Sequence, residues 1–525
     1  MKKKTLVVLS ALLLSFHTKA QTIDEGIKAW ENDKLNKAAS IFRTLAKGNN
    51  PEANYYLGNI YLEFERPDSA KMAFNDGITK NPSNPYCYVG LGKIALNDKN
   101  GTESKKNFDK ALIITKEKDA KVLNAIGSAY STADIKEPKK AIEYYNKSLA
   151  LDKRNPDTFL GLGDAYLDDL QGGPAITNYE KALEINNKLP KPYLRIGQVY
   201  VRSRNWSTAE ENLKKAIELD PGYSIAYKDL GELYYKQRKY DKAAEALKTY
   251  IDLADRNVSS LTKYAYALFL NKDYDNASKT INEVIKLDSS NYVMKRLLGY
   301  SYYETKKYPE GLSYMNKFFA QVKPEKIIAS DYTYYGRLYN KTNNDSLAAL
   351  NFEKSLAIDT GDVEVLGELA DVYTHWKKYP QAQTAYTKKI KSLKNPSALD
   401  YFGLGKAYYY DKKYTEADTA FASVIAIKPD VTIGYLWRCR SKIKIGDVNY
   451  ELCKPYADKF ISLAYGPDGK LNPKVQTKEI IEILQYEASY FAAKEDMVKV
   501  KEYLNKILET DPNNKEAKDM LSKLK

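Results

Sequence analysis

Apolar residues recur along this chain at spacings of three and four, in paired stretches separated by short polar segments. That spacing gathers them on one side of a helix, so each pair predicts two amphipathic helices. The breaks within pairs are charged or rich in turn residues, as at Lys236-Gln237-Arg238-Lys239, Leu170-Gln171-Gly172-Gly173-Pro174 and Lys412-Lys413. Many pair-to-pair junctions carry proline, as in Asn81-Pro82, Asp220-Pro221 and Asp511-Pro512. A residue with fixed φ and no N–H stops one helix and lets the next begin.

The pairs repeat one another. A small residue is followed three positions later by tyrosine, as in Gly58/Tyr61, Gly163/Tyr166, Gly197/Tyr200 and Gly231/Tyr234. Twelve residues after the glycine comes a second small residue (Ala70, Ala175, Ala209, Ala243), and four later a large one (Phe74, Tyr179, Leu213, Leu247). The anchors are Gly26, Gly58, Gly92, Gly127, Gly163, Gly197, Gly231, Ala265, Gly299, Gly336, Ala370, Gly405, Cys439 and Ala488, most of them 34 residues apart and the last two 49 apart. One hairpin cannot bury its apolar face alone, so neighbours must stack.

The pattern resembles the tetratricopeptide repeat across nearly the whole of residues 21–525. The resemblance implies an all-α fold, an α-solenoid (superhelix) of about fourteen helical hairpins. A C-terminal capping helix is expected around Ala517, Met520, Leu521 and Leu524, with lysines on its other side. Residues 21–462 form the array. The turn-rich stretch around Tyr465-Gly466-Pro467-Asp468-Gly469 reads as an inserted loop over 463–480. Residues 481–525 hold the last repeat and the cap.

Residues 1–20 stand outside the pattern. Lys2, Lys3 and Lys4 precede an apolar run from Leu6 to Phe16, and Thr18-Lys19-Ala20 supplies small residues before Gln21. This reads as a secretory signal peptide cleaved after Ala20. The run is too short to span a bilayer, and no later stretch reads as a span. No Cys follows the run, which argues against a lipoprotein. The expected location is the periplasm or cell surface.

Charge changes the picture little. The formal net charge is +14; residues 1–20 hold four lysines and no acid, so without them it falls to +10. The surplus is spread along the chain, and no nucleic-acid partner is expected. The 46 tyrosines suit a thin structure with much half-buried surface, since the ring packs while the hydroxyl stays wet.

Enzyme chemistry is tested by subtraction. Of two histidines, His17 leaves with the leader and His375 remains, too few for a multi-histidine metal site. No phosphate-binding glycine loop is present. No catalytic residue, cofactor or metal is expected. The cysteines are Cys87, Cys439 and Cys453. Cys439 takes the anchor position and Cys453 follows by fourteen rather than twelve. If the turn Ile445-Gly446-Asp447-Val448-Asn449-Tyr450 is two residues longer than usual, the two fall together. Buried thiols and a disulfide both remain open.

In tetratricopeptide arrays the first helix of each unit lines the concave face. That resemblance assigns to the face Tyr235, Tyr266, Phe269, Arg296, Tyr300, Tyr303, Arg337, Lys341, Tyr409 and Tyr410. Aromatic and arginine side chains are the usual anchors of protein interfaces. The functional expectation is a periplasmic or cell-surface scaffold binding protein or peptide partners, in envelope assembly or secretion. The alternative is a glycan-associated module in which tyrosines stack on sugar rings.

Overall fold

The computed structural model describes residues 21–446, 450–465 and 471–524. The leader, Asp447-Val448-Asn449 of the long turn and 466–470 of the inserted loop lie outside the described residues. Among those described there are 29 α-helices and no strand. They form fourteen consecutive antiparallel hairpins, and Lys515–Lys523 closes the array. The all-α repeat architecture of an α-solenoid is therefore what the chain adopts. It comprises two compact units, one running to Ser289 with hairpins 1 to 8, the other starting at Ser290 with hairpins 9 to 14 and the closing helix.

Local chemistry starts the helices. Asn50, Asn84 and Asn155 each accept a hydrogen bond from a first-turn N–H, and each is followed by proline at the first helical position. The side chain satisfies an orphan donor, and proline sits where its missing N–H costs nothing. Packing then closes each hairpin. The aromatic ring of Phe74 lies directly over Gly58, and Leu247 lies over Gly231. The large residue sixteen positions after the anchor thus fills the space that the anchor leaves open.

The turn inside the hairpin has its own signature. A residue seven after the anchor adopts left-handed backbone in nearly every hairpin: Asp33, Glu65, Lys99, Leu170, Arg204, Arg238, Lys272, Lys306, Asn343, Lys377, Lys412 and Glu495 have φ from 51° to 63°. These are mostly long side chains rather than glycine, so a left-handed turn was not legible from residue type.

The thirteenth hairpin departs most. Its first helix, Thr432–Ile445, is followed by a 3₁₀ turn, Tyr450–Leu452, and its second, Lys454–Ala464, starts only after Cys453. The inserted loop is shorter than 463–480, because Ala464 is still helical and the next helix begins at Thr477. Tyr465 and Leu471 pinch the loop through an isolated antiparallel bridge.

Candidate functional site

Within each unit, first helices of successive hairpins touch one another, whereas second helices stand farther apart. Hairpins crowded on one side and splayed on the other curve with the crowded side inward. The inner face is therefore built by first helices, as the resemblance implied.

Most charge on this face is neutralised by the neighbouring hairpin. Arg195 Nε meets Asp164 at 3.0 Å and Lys136 meets Asp168 at 2.8 Å. Lys263 pairs with Glu232, and Arg337 engages Glu368 and Glu364. Arg440 binds Glu482 through Nε at 2.7 Å and a terminal nitrogen at 2.6 Å. Gln198 extends the ladder from Arg195 to Asp229, donating to the carboxylate at 2.5 Å.

Two of the assigned residues must be reassigned. Tyr300 is 5% exposed; its hydroxyl donates to Asp331 at 2.7 Å and its ring stacks on Tyr334 at 4.0 Å. Arg296 lies against the same carboxylate, with Nε 2.6 Å from Asp331, whose side chain is fully buried. These two side chains join hairpins 9 and 10 and do not face a partner. Burying that acid is tolerable only with a cation and hydroxyl on it.

The remaining residues keep varying degrees of access. Tyr235 is 39% exposed and packs edge-on against Tyr240. Tyr266 and Phe269 are half-buried on the next hairpin, with Phe269 edge-on to Tyr274. In the second unit, Tyr303 is half-buried against Tyr308 and Tyr334. Arg337 is spent on its two glutamates, and Lys341 is exposed.

Tyr409 and Tyr410 come together around a tryptophan that sequence reasoning passed over. Trp437 stands edge-on to both, at 5.2 and 6.0 Å, and Arg440 lies over its ring at 4.6 Å. Tyr410, 46% exposed, also stacks on Tyr379. Lys406 lies over Phe402, whose ring meets Trp437 edge-on. Trp437 sits two positions before its anchor, where other hairpins place the charged residues Arg195, Asp229, Lys263 and Glu368, a position the assignment of the inner face left out. His375 is on the surface beside Asp345 at 2.6 Å.

In the first unit, the missed residue is Lys93. It sits one position after the Gly92 anchor in a recess lined by Tyr55, Asn59, Ser128 and Thr132. Burial pulls its ammonium below the ordinary lysine range, and Glu63 and Asp134 only partly compensate.

Cys439 and Cys453 are joined as a disulfide, with Cα atoms 4.5 Å apart, and Cys87 is a buried free thiol. Among the described residues no helix is long and apolar enough to cross a membrane.

Comparison with known proteins now bears on this geometry. Tetratricopeptide repeat family models match residues 23–85 and 194–258, and a second such model matches 120–155 and 258–291. The chain is similar to the C-terminal part of a TPR repeat-containing protein from Cytophaga hutchinsonii, with 31% identity. The match covers 49% of this chain and 98% of that one, with a TM-score of 0.44. It is similar at 22% identity to pilF of Pseudomonas aeruginosa, over 39% of this chain and 92% of that one, with a TM-score of 0.32. A stretch of 117 residues is 29% identical to the Protein CTR9 homolog of Arabidopsis thaliana, covering 22% of this chain and only 10% of that relative's length. The matched repeats, the 34-residue spacing of anchors and the fourteen stacked hairpins together make this chain a member of the tetratricopeptide repeat family.

Proposed function

We propose that this protein is an exported scaffold that holds a protein or peptide partner on the inner faces of its two units, in envelope assembly or secretion. Tetratricopeptide arrays are interaction scaffolds, and the fold is typically non-catalytic. One observation carries the finer reading. The inner faces neutralise most of their own charge, yet leave aromatic rings and cations accessible at Tyr235, Lys341 and Tyr410, the last set edge-on against the buried Trp437. Accessible aromatics ringed by already satisfied polar groups are what interface hot spots are made of. Export rests on the lysines, apolar run and small residues of the first twenty positions.

The test is crosslinking from the native envelope with the wild-type chain, with Tyr410→Ala plus Lys406→Ala, and with the second-helix control Lys214→Ala. A partner captured by wild type and control but lost from the inner-face variant supports the reading. Equal capture by all three removes it. The glycan reading keeps the tyrosines but predicts binding to acidic polysaccharide that collapses with salt. Mass spectrometry of the mature N-terminus should find Gln21; retained Lys2 to Lys4 would end the export reading.

A further inference from the structure

The first hairpin (Ile23–Glu31 and Leu35–Lys47) touches more than its sequence neighbour. It docks on hairpins 6 and 7 and the segment that follows them, about two hundred residues away. Ser224 Oγ donates to the Asn32 carbonyl at 2.7 Å, and the Ser224 N–H to Asn32 Oδ1 at 3.0 Å. Both residues are buried. Around them, Asp33 accepts from Tyr250 and from Lys228, each at 3.0 Å. Its carbonyl accepts from the Asp255 N–H, and the Asp255 carboxylate takes both the backbone and side-chain N–H of Asn36. Lys191–Glu31 and Lys28–Asp220 complete the rim.

This seam differs in kind from the contacts between sequential hairpins. Those bury alanine, leucine and phenylalanine, as around Phe42 and Leu57. The seam is hydrogen bonds and half-exposed ion pairs, and beside it a cleft of about 380 Å³ stays open among Phe64, Lys228, Tyr250, Arg256 and Lys263. Polar contacts of this sort are screened by salt and are typical of surfaces that part and rejoin. Because first helices face inward, contact between the first hairpin and hairpins 6 and 7 closes the chain into a loop around the inner face of this unit.

We propose that the first hairpin is a salt-sensitive clasp that gates the inner face of the first unit. The proposal extends the scaffold reading, but its test involves no partner, so either can fail alone. Asp33→Gly combined with Asp255→Ala removes the clasp; glycine suits the left-handed backbone at Asp33 (φ 51°). Glu211→Ala, on an exposed second-helix position, is the control. Amide exchange on the full chain should rise several-fold in 23–47 and 224–256 of the double variant, with 85–185 unchanged. Wild type moved from about 0.05 M to about 1 M salt should shift in the same direction. Acylation of Lys93, inside the unit, should speed up several-fold relative to Lys214, outside it. Unchanged exchange at the seam overturns the clasp. A uniform rise across the unit also overturns it, because the contact would then be core. Seam opening without faster Lys93 labelling overturns the gate.

Discussion

Phe74 lies so close over Gly58 that a Cβ on that glycine would sit 2.2 Å from the ring. Phe74 is fully buried and cannot swing aside. Gly58→Ala should therefore lower stability by about 1–3 kcal/mol, the usual cost of overpacking a tight core. Gly101→Ala, where an added Cβ meets nothing within 4 Å, should leave urea unfolding unchanged. Equal midpoints for both variants would mean that the hairpin relaxes around the ring.

Leu170 tests the turn. It has φ 61°, is 90% exposed and stands where other hairpins place polar residues, most of them lysine or arginine. Left-handed backbone costs an L residue roughly 1–2 kcal/mol, and glycine almost nothing. Leu170→Gly should raise stability by about 1 kcal/mol in thermal unfolding, although glycine is otherwise a poor helical neighbour. A loss would show that the freedom glycine adds to the unfolded chain outweighs the strain it relieves in the turn.

Asp418 tests the ion pairs. Arg438 donates to it at 2.7 and 3.1 Å, and Lys442 lies 2.9 Å away. Burial pushes this carboxyl up, but the two cations outweigh it and hold it below the usual aspartate range. The folded pKa is thus below the unfolded value of about 3.9. The stabilisation is complete above that unfolded value and is lost as pH falls through the folded one. Asp418→Asn should cost about 1–3 kcal/mol at pH 7 by stranding two half-buried cations. Its deficit relative to wild type should shrink below pH 4.

Lys93 should behave in the opposite sense. Its folded pKa is lowered, so the charged form carries a penalty at neutral pH that begins to shrink as pH rises through the folded value and is gone above the unfolded one. Lys93→Met should stabilise the first unit at pH 7, with the gain shrinking at alkaline pH. A residue whose removal improves stability is one kept for another reason, such as meeting an anionic group of a partner. A destabilised variant would assign Lys93 to packing.

The disulfide closes a short loop between Cys439 and Cys453, fourteen positions apart. Reduction should cost about 3 kcal/mol. Thiol titration of unfolded, unreduced protein should find one group, Cys87.

The hairpins and their count were legible because the 34-residue period and the spacing of Gly58, Ala70 and Phe74 are local consequences of packing one helix on the next. The inner face was legible only in outline. Offsets from the anchor placed Arg296 and Tyr300 on the correct helix, but Asp331, which occupies both, lies 35 and 31 residues later, at the start of the next hairpin. No periodicity within one helix announces such a partner. Trp437 was hidden because the assignment of the inner face left out its position, two before the anchor, which carries charged residues such as Arg195, Asp229 and Lys263 in other hairpins. Asn32 and Ser224 are 192 residues apart, and nothing in either segment names the other.

That last contact bears on how the first unit can evolve. A repeat array whose hairpins meet only their neighbours can gain or lose a copy by unequal recombination and still fold, because every junction is equivalent. Here the turn at Asn32 and Asp33 must arrive opposite Ser224 and Tyr250. Duplicating or deleting one hairpin between them would carry the first turn past its acceptor site by a full repeat. The number of repeats in this unit is therefore itself a dimension of the structure, and a change that leaves every local junction intact would still break it.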